Sequence, residues 1–120
     1  MTVAEILAQF PRLSALVVGD ICLDRWCTYD PATSEPSRET GIPRTGVVST
    51  EITAGAGGTV ANNLADLGCG RVAVCGVVGD DGFAYELRQA LSRRKIDAWS
   101  ARMARVGVLH RRCRLESTDG

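Results

Sequence analysis

Two apolar runs, each ending in Gly-Asp, constrain the fold of this chain more than any other feature of its sequence. The first run is "SALVVGD" at residues 14–20, and the second is "RVAVCGVVGD" at residues 71–80. Short, continuous apolar runs are typical of strands that are buried on both faces of a parallel sheet. We therefore predict that both runs form strands of one hydrophobic core.

Amphipathic helices are predicted before, between and after these strands, because apolar residues there recur at helical spacing. Gly68 is placed to end the second helix, and Asp80 or Asp81 would cap the third. The alternation of helices with buried strands predicts an α/β fold with a parallel sheet. The segments concerned are the N-terminal "MTVAEILAQFPRL", residues 58–67 and residues 81–97.

A more polar insertion interrupts this alternation. Residues 31–46 hold three of the four prolines and are predicted to form an exposed excursion. The flanking segments, 21–30 and 47–54, alternate more between apolar and polar residues, as half-solvated strands do. With only two or three core strands, both edges of the sheet would be bare. We therefore expect the front part of a larger α/β domain, or a chain that must pair with another.

Charge balance and cysteine spacing argue against several classes of function. Lys+Arg and Asp+Glu number 14 each, so net charge gives no reason to expect nucleic acid or a membrane as a partner. The N-terminus lacks the basic start of a secretory signal. The five cysteines form no C-x-x-C pair, which predicts reduced thiols in a cytoplasmic protein and no metal site. His110 has no nucleophile or carboxylate at informative spacing and is expected on the surface.

The glycine stretch "TAGAGGTVANNLADLG", residues 53–68, admits three interpretations. In a dinucleotide-binding turn, Gly55 and Gly57 would precede a helix whose N-terminus binds pyrophosphate, and Asp80 would bind ribose. Two features count against this interpretation. The segment before the glycines is too polar for a fully buried strand, and Val60 stands where a small residue is expected.

A plain glycine turn is the second interpretation, with Thr53 or Thr59 as the helix cap. It explains less well why Asn62 and Asn63, which are poor helix formers, stand together in an otherwise apolar helix.

The third interpretation joins this stretch to Asp24, just past the first buried strand. Ligands of open α/β sheets bind beyond the carboxyl ends of the strands, and one carboxylate accepts hydrogen bonds from two hydroxyls. Gly57 and Gly58 let a ligand approach the backbone closely. Asn62 lies one turn into the helix, so these residues together predict a polyol-binding surface.

Three motifs in this order resemble the N-terminal part of the PfkB (ribokinase-like) carbohydrate kinases: "VVGDICLDRW", "GAGGTVANNLADLG" and "VAVCGVVGDDGFAYEL". The resemblance covers about residues 14–97 and is closest to the branch that includes heptose-phosphate kinases. It implies a ribokinase-like three-layer α/β/α fold with a small β-sheet lid, present only as its N-terminal part. Residues 1–120 then belong to one kinase domain, with lid strands at about 21–33 and 44–53.

The resemblance also implies roles for individual residues. Asp24 matches the family's sugar-hydroxyl-binding aspartate, and Asn62 matches its sugar-binding asparagine. Gly57 and Gly58 match its Gly-Gly pair, which faces the sugar. The lid would close over the sugar, and a homodimer through the lid sheet is expected.

The implied function is that of a cytoplasmic kinase that transfers phosphate from ATP, with Mg²⁺, to a sugar or sugar phosphate. The family's catalytic aspartate lies in a C-terminal "DTxGAGD"-like motif that these 120 residues lack. No catalytic residue, bound ATP or bound Mg²⁺ is therefore expected in this chain. A non-catalytic sugar-binding or assembly module and a dinucleotide-binding oxidoreductase fragment are the alternatives.

Overall fold

A computed structural model describes the backbone of residues 1–102 and 111–117 and the side chains of residues 1–99. The expected surface position of His110 lies outside the described residues. In chain order the helices and strands are α1 (Val3–Leu7), β1 (Ser14–Val18), β2 (Ile21–Tyr29), β3 (Glu35–Pro36), β4 (Pro43–Arg44), β5 (Val47–Ala56), α2 (Gly57–Asp66), β6 (Arg71–Val78), α3 (Gly82–Arg93), β7 (Asp97–Arg102) and β8 (Arg111–Ser117).

The two apolar runs form neighbouring parallel strands, which confirms the predicted α/β fold with a parallel sheet. β1 pairs with β6 from Ser14 opposite Arg71 to Val18 opposite Cys75. β7 pairs with the other edge of β6, also in parallel, so the strand order is β1-β6-β7. Helix α2 lies in the crossover from the first run to the second, and α3 lies in the crossover from β6 to β7.

The prediction that the first run is buried on both faces is wrong. β1 alternates along its length: Val17 packs against the core, whereas Leu16 and Val18 are 53% and 71% exposed. The alternation arises because α2 and α3 cover the same face of the sheet. Residues of β6 on that face, Val72 and Val74, are buried in one cluster with side chains of both helices.

The two segments that flank the polar insertion form a small second sheet together with β8, in the order β5-β2-β8. β2 pairs with β5 in antiparallel and with β8 in parallel. β2 ends at Tyr29 and β5 extends to Ala56, and the assignment of lid strands at about 21–33 and 44–53 stays a prediction. The excursion between them contains a short 3-10 helix, Pro31–Thr33, and the two-residue strands β3 and β4.

The predicted end of α2 is confirmed at Gly68, which has φ +87°. The Gly68 N–H donates to the Ala65 carbonyl at 3.0 Å, and the Cys69 N–H donates to the Leu64 carbonyl at 3.1 Å. This pair of bonds is the Schellman arrangement, in which a left-handed glycine lets the chain leave the helix. The strand β6 then begins three residues later.

Two capping predictions have different outcomes. Asp81 caps α3, since its carboxylate accepts a hydrogen bond from the Ala84 N–H at 2.9 Å. Neither Thr53 nor Thr59 caps α2, whose N-cap residue is Ala56 and has no side-chain cap. The Thr59 hydroxyl instead donates to the Ala54 carbonyl at 3.4 Å.

One apolar core joins the parallel sheet, both long helices and the small sheet. Ile21, Leu23 and Ala54 of the small sheet are buried in the same cluster as Leu87 and Leu91 of α3. The small sheet is therefore held to the rest of the fold by apolar burial, in addition to chain connectivity. Among the helices that the structure describes, none has both the length and the apolar character needed to cross a bilayer.

Ala56 is expected to be a strained residue, because its φ of 51° and ψ of −119° lie where residues with a Cβ are disfavoured. Replacing it with glycine should raise the free energy of unfolding by about 1 kcal/mol, measured by urea denaturation. The matched control is Ala90→Gly in the interior of α3, which should lower stability by about 1 kcal/mol. A loss of stability in both variants would contradict the assignment of strain.

Candidate functional site

The chain passes directly from β5 into α2, and this β5–α2 junction, residues 53–58, contains Gly57 and Gly58 and pairs with the strand that carries Asp24. Ile21 of β2 pairs with Ala56 at the end of β5. The Gly57 N–H donates to the carbonyl of Asp20 at 2.9 Å. These contacts hold the start of α2 against the turn between β1 and β2, at the carboxyl end of the first core strand.

Asp24 lies on the face of β2 that looks away from the core. Side chains alternate along a strand, so Cys22 and Asp24 share one face while Leu23 and Arg25 occupy the other. Asp24 is half-buried and pairs with Thr53 across the ladder. The Cys22 thiol donates to Asp24 Oδ1 at 3.8 Å, a weak contact that orients the carboxylate.

Gly55 is the residue that sequence reasoning missed. A Cβ built on Gly55 would lie 2.6 Å from the carboxyl carbon of Asp24, far inside normal van der Waals contact. The Asp24 carboxylate therefore rests on the backbone of residue 55, and only glycine leaves room for it. The sequence shows the glycine itself, but its contact with Asp24 depends on the register between β2 and β5.

Gly57 and Gly58 lie at the same junction and are packed against protein. A Cβ at Gly57 would lie 2.7 Å from Ile21 Cδ1 and 3.0 Å from the Asp20 carbonyl oxygen. A Cβ at Gly58 would lie 2.5 Å from the Cβ of Ala54. Close packing thus gives a structural reason for both glycines, and their predicted contact with a sugar stays a prediction.

Asn62 lies one turn beyond Gly58 on α2 and is half-buried. Its Oδ1 atom is buried and has no hydrogen-bond partner. A buried carbonyl oxygen without a donor is costly. No direct hydrogen bond joins Asn62 to Asp24 within the described part of the chain, and their convergence on one ligand stays a prediction.

The setting of the glycines does not match a dinucleotide site. In that motif the glycine turn follows a central strand of a parallel sheet, whereas this one follows β5, an edge strand of the antiparallel pair with β2. An apolar cavity also lies elsewhere, between β6, β7 and α3, and none of the predicted site residues lines it.

The cysteines give no sign of a metal site or a disulfide in the described part of the chain. No disulfide bond involves Cys22, Cys27, Cys69 or Cys75. Among residues 1–99, whose side chains are described, no three His, Cys, Asp or Glu side chains come together in an arrangement that would hold a metal ion.

Comparison with known proteins decides the family. The model of the pfkB family of carbohydrate kinases matches residues 13–104, a segment that includes the whole junction and every predicted site residue. The chain belongs to this family.

Curated relatives place the chain near the heptose-kinase-like branch, as the sequence motifs predicted. It is 38% identical over 95 residues to the bifunctional protein HldE of Geobacter sulfurreducens, covering 79% of this chain and 19% of the relative. It is 40% identical over 91 residues to the protein of the same name from Blochmanniella floridana, covering 76% and 18%. The chain therefore spans about a fifth of the length of the curated relatives it matches.

Solved structures confirm the ribokinase-like fold. A carbohydrate kinase from Agrobacterium tumefaciens superposes with a TM-score of 0.60 at 21% identity, covering 90% of this chain and 33% of that chain. The microbiome-derived acarbose kinase Mak1 gives a TM-score of 0.60 at 21% identity, with coverage of 90% and 34%. At this identity the likeness establishes the fold alone.

Proposed function

We propose that this chain supplies the sugar-binding surface and lid of an ATP-dependent kinase acting on a sugar or sugar phosphate. The observation that carries the proposal is the Asp24 carboxylate lying on Gly55, at the carboxyl end of the first core strand, in a member of a carbohydrate kinase family. Carboxylates bind pairs of hydroxyls well, because each oxygen accepts a separate charge-assisted hydrogen bond.

Asn62 complements Asp24 as a second acceptor in this proposal. A sugar hydroxyl that donates to Asn62 Oδ1 would satisfy the buried oxygen that has no partner in the protein. Two acceptors on separate elements, β2 and α2, orient a rigid ring better than one, and orientation of the reacting hydroxyl lowers the barrier to phosphoryl transfer. Gly57 and Gly58 keep the backbone close to that space.

The small sheet, β5-β2-β8, is proposed to act as the lid. It carries Asp24 and is followed directly by α2, so its position relative to α2 decides whether Asp24 and Asn62 act on the same sugar. A lid of this kind excludes water from the transferring phosphate. ATP and Mg²⁺ are proposed for the longer kinase, and no residue of this chain is assigned to either; a cytoplasmic location is proposed with them.

The chain is further proposed to be the N-terminal part of one kinase domain, because one face of its parallel sheet is apolar and exposed. By strand register, Leu16, Val18, Val77 and Trp99 lie on the face opposite α2 and α3, and each is at least 51% exposed. Parallel sheets are normally covered on both faces. The occupant we propose is the remaining two thirds of a kinase chain, which has no counterpart here.

A homodimer through the lid sheet is also proposed. β5 forms one edge of that sheet, and its first residues, Val47 and Val48, are 50% and 57% exposed. An apolar edge strand is a ready partner for a second strand.

Replacing Asp24 with asparagine should weaken sugar binding by roughly 10- to 100-fold, since a hydrogen bond to a charged group contributes about 1.5–3 kcal/mol. Gly55→Ala should have a similar effect, because the added Cβ displaces the carboxylate. The measurement is isothermal titration calorimetry with ribose, fructose 6-phosphate and sedoheptulose 7-phosphate. Glu39→Gln, which removes a carboxylate from the exposed excursion, is the control and should bind as the unaltered chain does. Equal binding by all variants would refute the site.

Replacing Asn62 with alanine should separate binding from stability. The free energy of unfolding is expected to rise by about 0.5–1 kcal/mol, because alanine favours the helix and removes an unsatisfied buried oxygen. Sugar affinity should fall in the same variant, by about 5-fold. Asn63→Ala, at an exposed position, should gain stability with no change in affinity. Loss of stability in Asn62→Ala would show that its amide serves the fold.

Replacing Val18 and Val77 with serine should about halve the fluorescence of the dye ANS bound to the chain, because both side chains belong to the exposed apolar face. Val60→Ser is the control, since Val60 is similarly exposed, at 51%, but lies on α2. Circular dichroism checks that each variant stays folded. The same dye signal from all variants would contradict the proposed docking face.

A further inference from the structure

The face of β2 opposite Asp24 is tied to α3 by a cluster of three side chains, Arg25, Phe83 and Glu86. Arg25 Nη2 forms an ion pair with Glu86 Oε2, and the two side chains are each 34% exposed. The Arg25 guanidinium carbon lies 5.3 Å from the centre of the Phe83 ring, in a cation–π contact. We name these residues the β2–α3 anchor.

The anchor differs from the other ion pairs of the described chain. The side chains of those pairs are between 46% and 68% exposed, and pairs that exposed contribute little to stability. They join β3 to β4, β6 to β7, and the ends of α2 and α3. The Arg25–Glu86 pair instead connects the small sheet to a helix of the main core.

The Arg25 side chain is held by geometry that suits arginine specifically. Its Nε atom is buried without a hydrogen-bond partner, so the guanidinium depends on the ion pair through Nη2 and on the ring of Phe83. A planar guanidinium can stack on a ring and reach a carboxylate at the same time, whereas a lysine ammonium is a point charge that does neither in the same way.

We propose that Arg25 is a positioning residue for Asp24, and that the β2–α3 anchor fixes the carboxylate over Gly55. Asp24 and Arg25 are consecutive, with Cα atoms about 3.8 Å apart, and they point to opposite faces of the same strand. Any displacement of Arg25 from α3 therefore moves the Asp24 backbone relative to the junction. The role of Asp24 as a sugar ligand rests on the proposed function, but the anchoring of β2 does not.

The experiment compares Arg25→Met and Glu86→Gln with the unaltered 120-residue chain. Amide hydrogen exchange, followed by NMR, should quicken at least about 10-fold at residues 22–26 and 51–55, because β2 loses its polar attachment to α3 and keeps only the apolar one. Affinity for the three named sugars should fall by about 5- to 10-fold. Arg94→Met, which breaks the exposed pair with Asp66, is the control and should alter neither measurement.

Rescue and failure are distinguishable. The double variant Arg25→Glu with Glu86→Arg should recover part of the exchange protection and part of the affinity, which a simple loss of packing would not. Unchanged exchange in Arg25→Met overturns the anchor. Faster exchange with unchanged affinity overturns the positioning of Asp24. If the unaltered chain binds none of the sugars, the proposed function fails. The anchor is then tested by the exchange rates and by the NMR chemical shift of the Gly55 amide, which lies beneath the Asp24 carboxylate.

Discussion

The antiparallel pairing of β2 with β5 is the interaction on which the rest of the site depends. Its register sets Asp24 beside Gly55, where a bare backbone gives the carboxylate room. It also ends at Ala56 opposite Ile21, so α2 begins against the turn that follows the first core strand. A slip of one residue would turn Asp24 toward the core, where an unpaired charge is strongly disfavoured.

The two faces of β2 have different roles: one packs against α3, and the other carries the proposed sugar-binding carboxylate. One face carries Leu23 and Arg25, which bind it to α3 through the apolar core and an ion pair. The other face carries Cys22 and Asp24, and the Cys22 thiol donates to the Asp24 carboxylate beside the junction. A strand held on one face by a rigid core presents the other face in a fixed position, which a binding site requires. The parallel sheet is likewise packed on one face only: α2 and α3 cover one face, and the other face is apolar and exposed.

Local sequence patterns correctly predicted the helix ends that depend on hydrogen bonds between nearby residues. Gly68 ends α2 and Asp81 caps α3, since each acts through backbone groups within four residues. The threonine cap that a plain glycine turn would require does not form, because Ala56 enters α2 from a paired strand. The burial of β1 was mispredicted because an apolar run shows only that both faces of a strand can be buried. Whether other elements cover both faces depends on the tertiary structure.

The sequence by itself determined the alternation of helices and core strands from α1 to α3, the family, and the residue types available for binding, because all three follow from periodicity and motifs along the chain. Tertiary structure alone decided that Gly55 lies beneath Asp24, that Gly57 and Gly58 pack against protein, and that Arg25 reaches Glu86. The physical reason is sequence separation: the Arg25–Glu86 contact spans 61 residues. Contacts across such distances depend on strand register and helix packing, which no local pattern encodes.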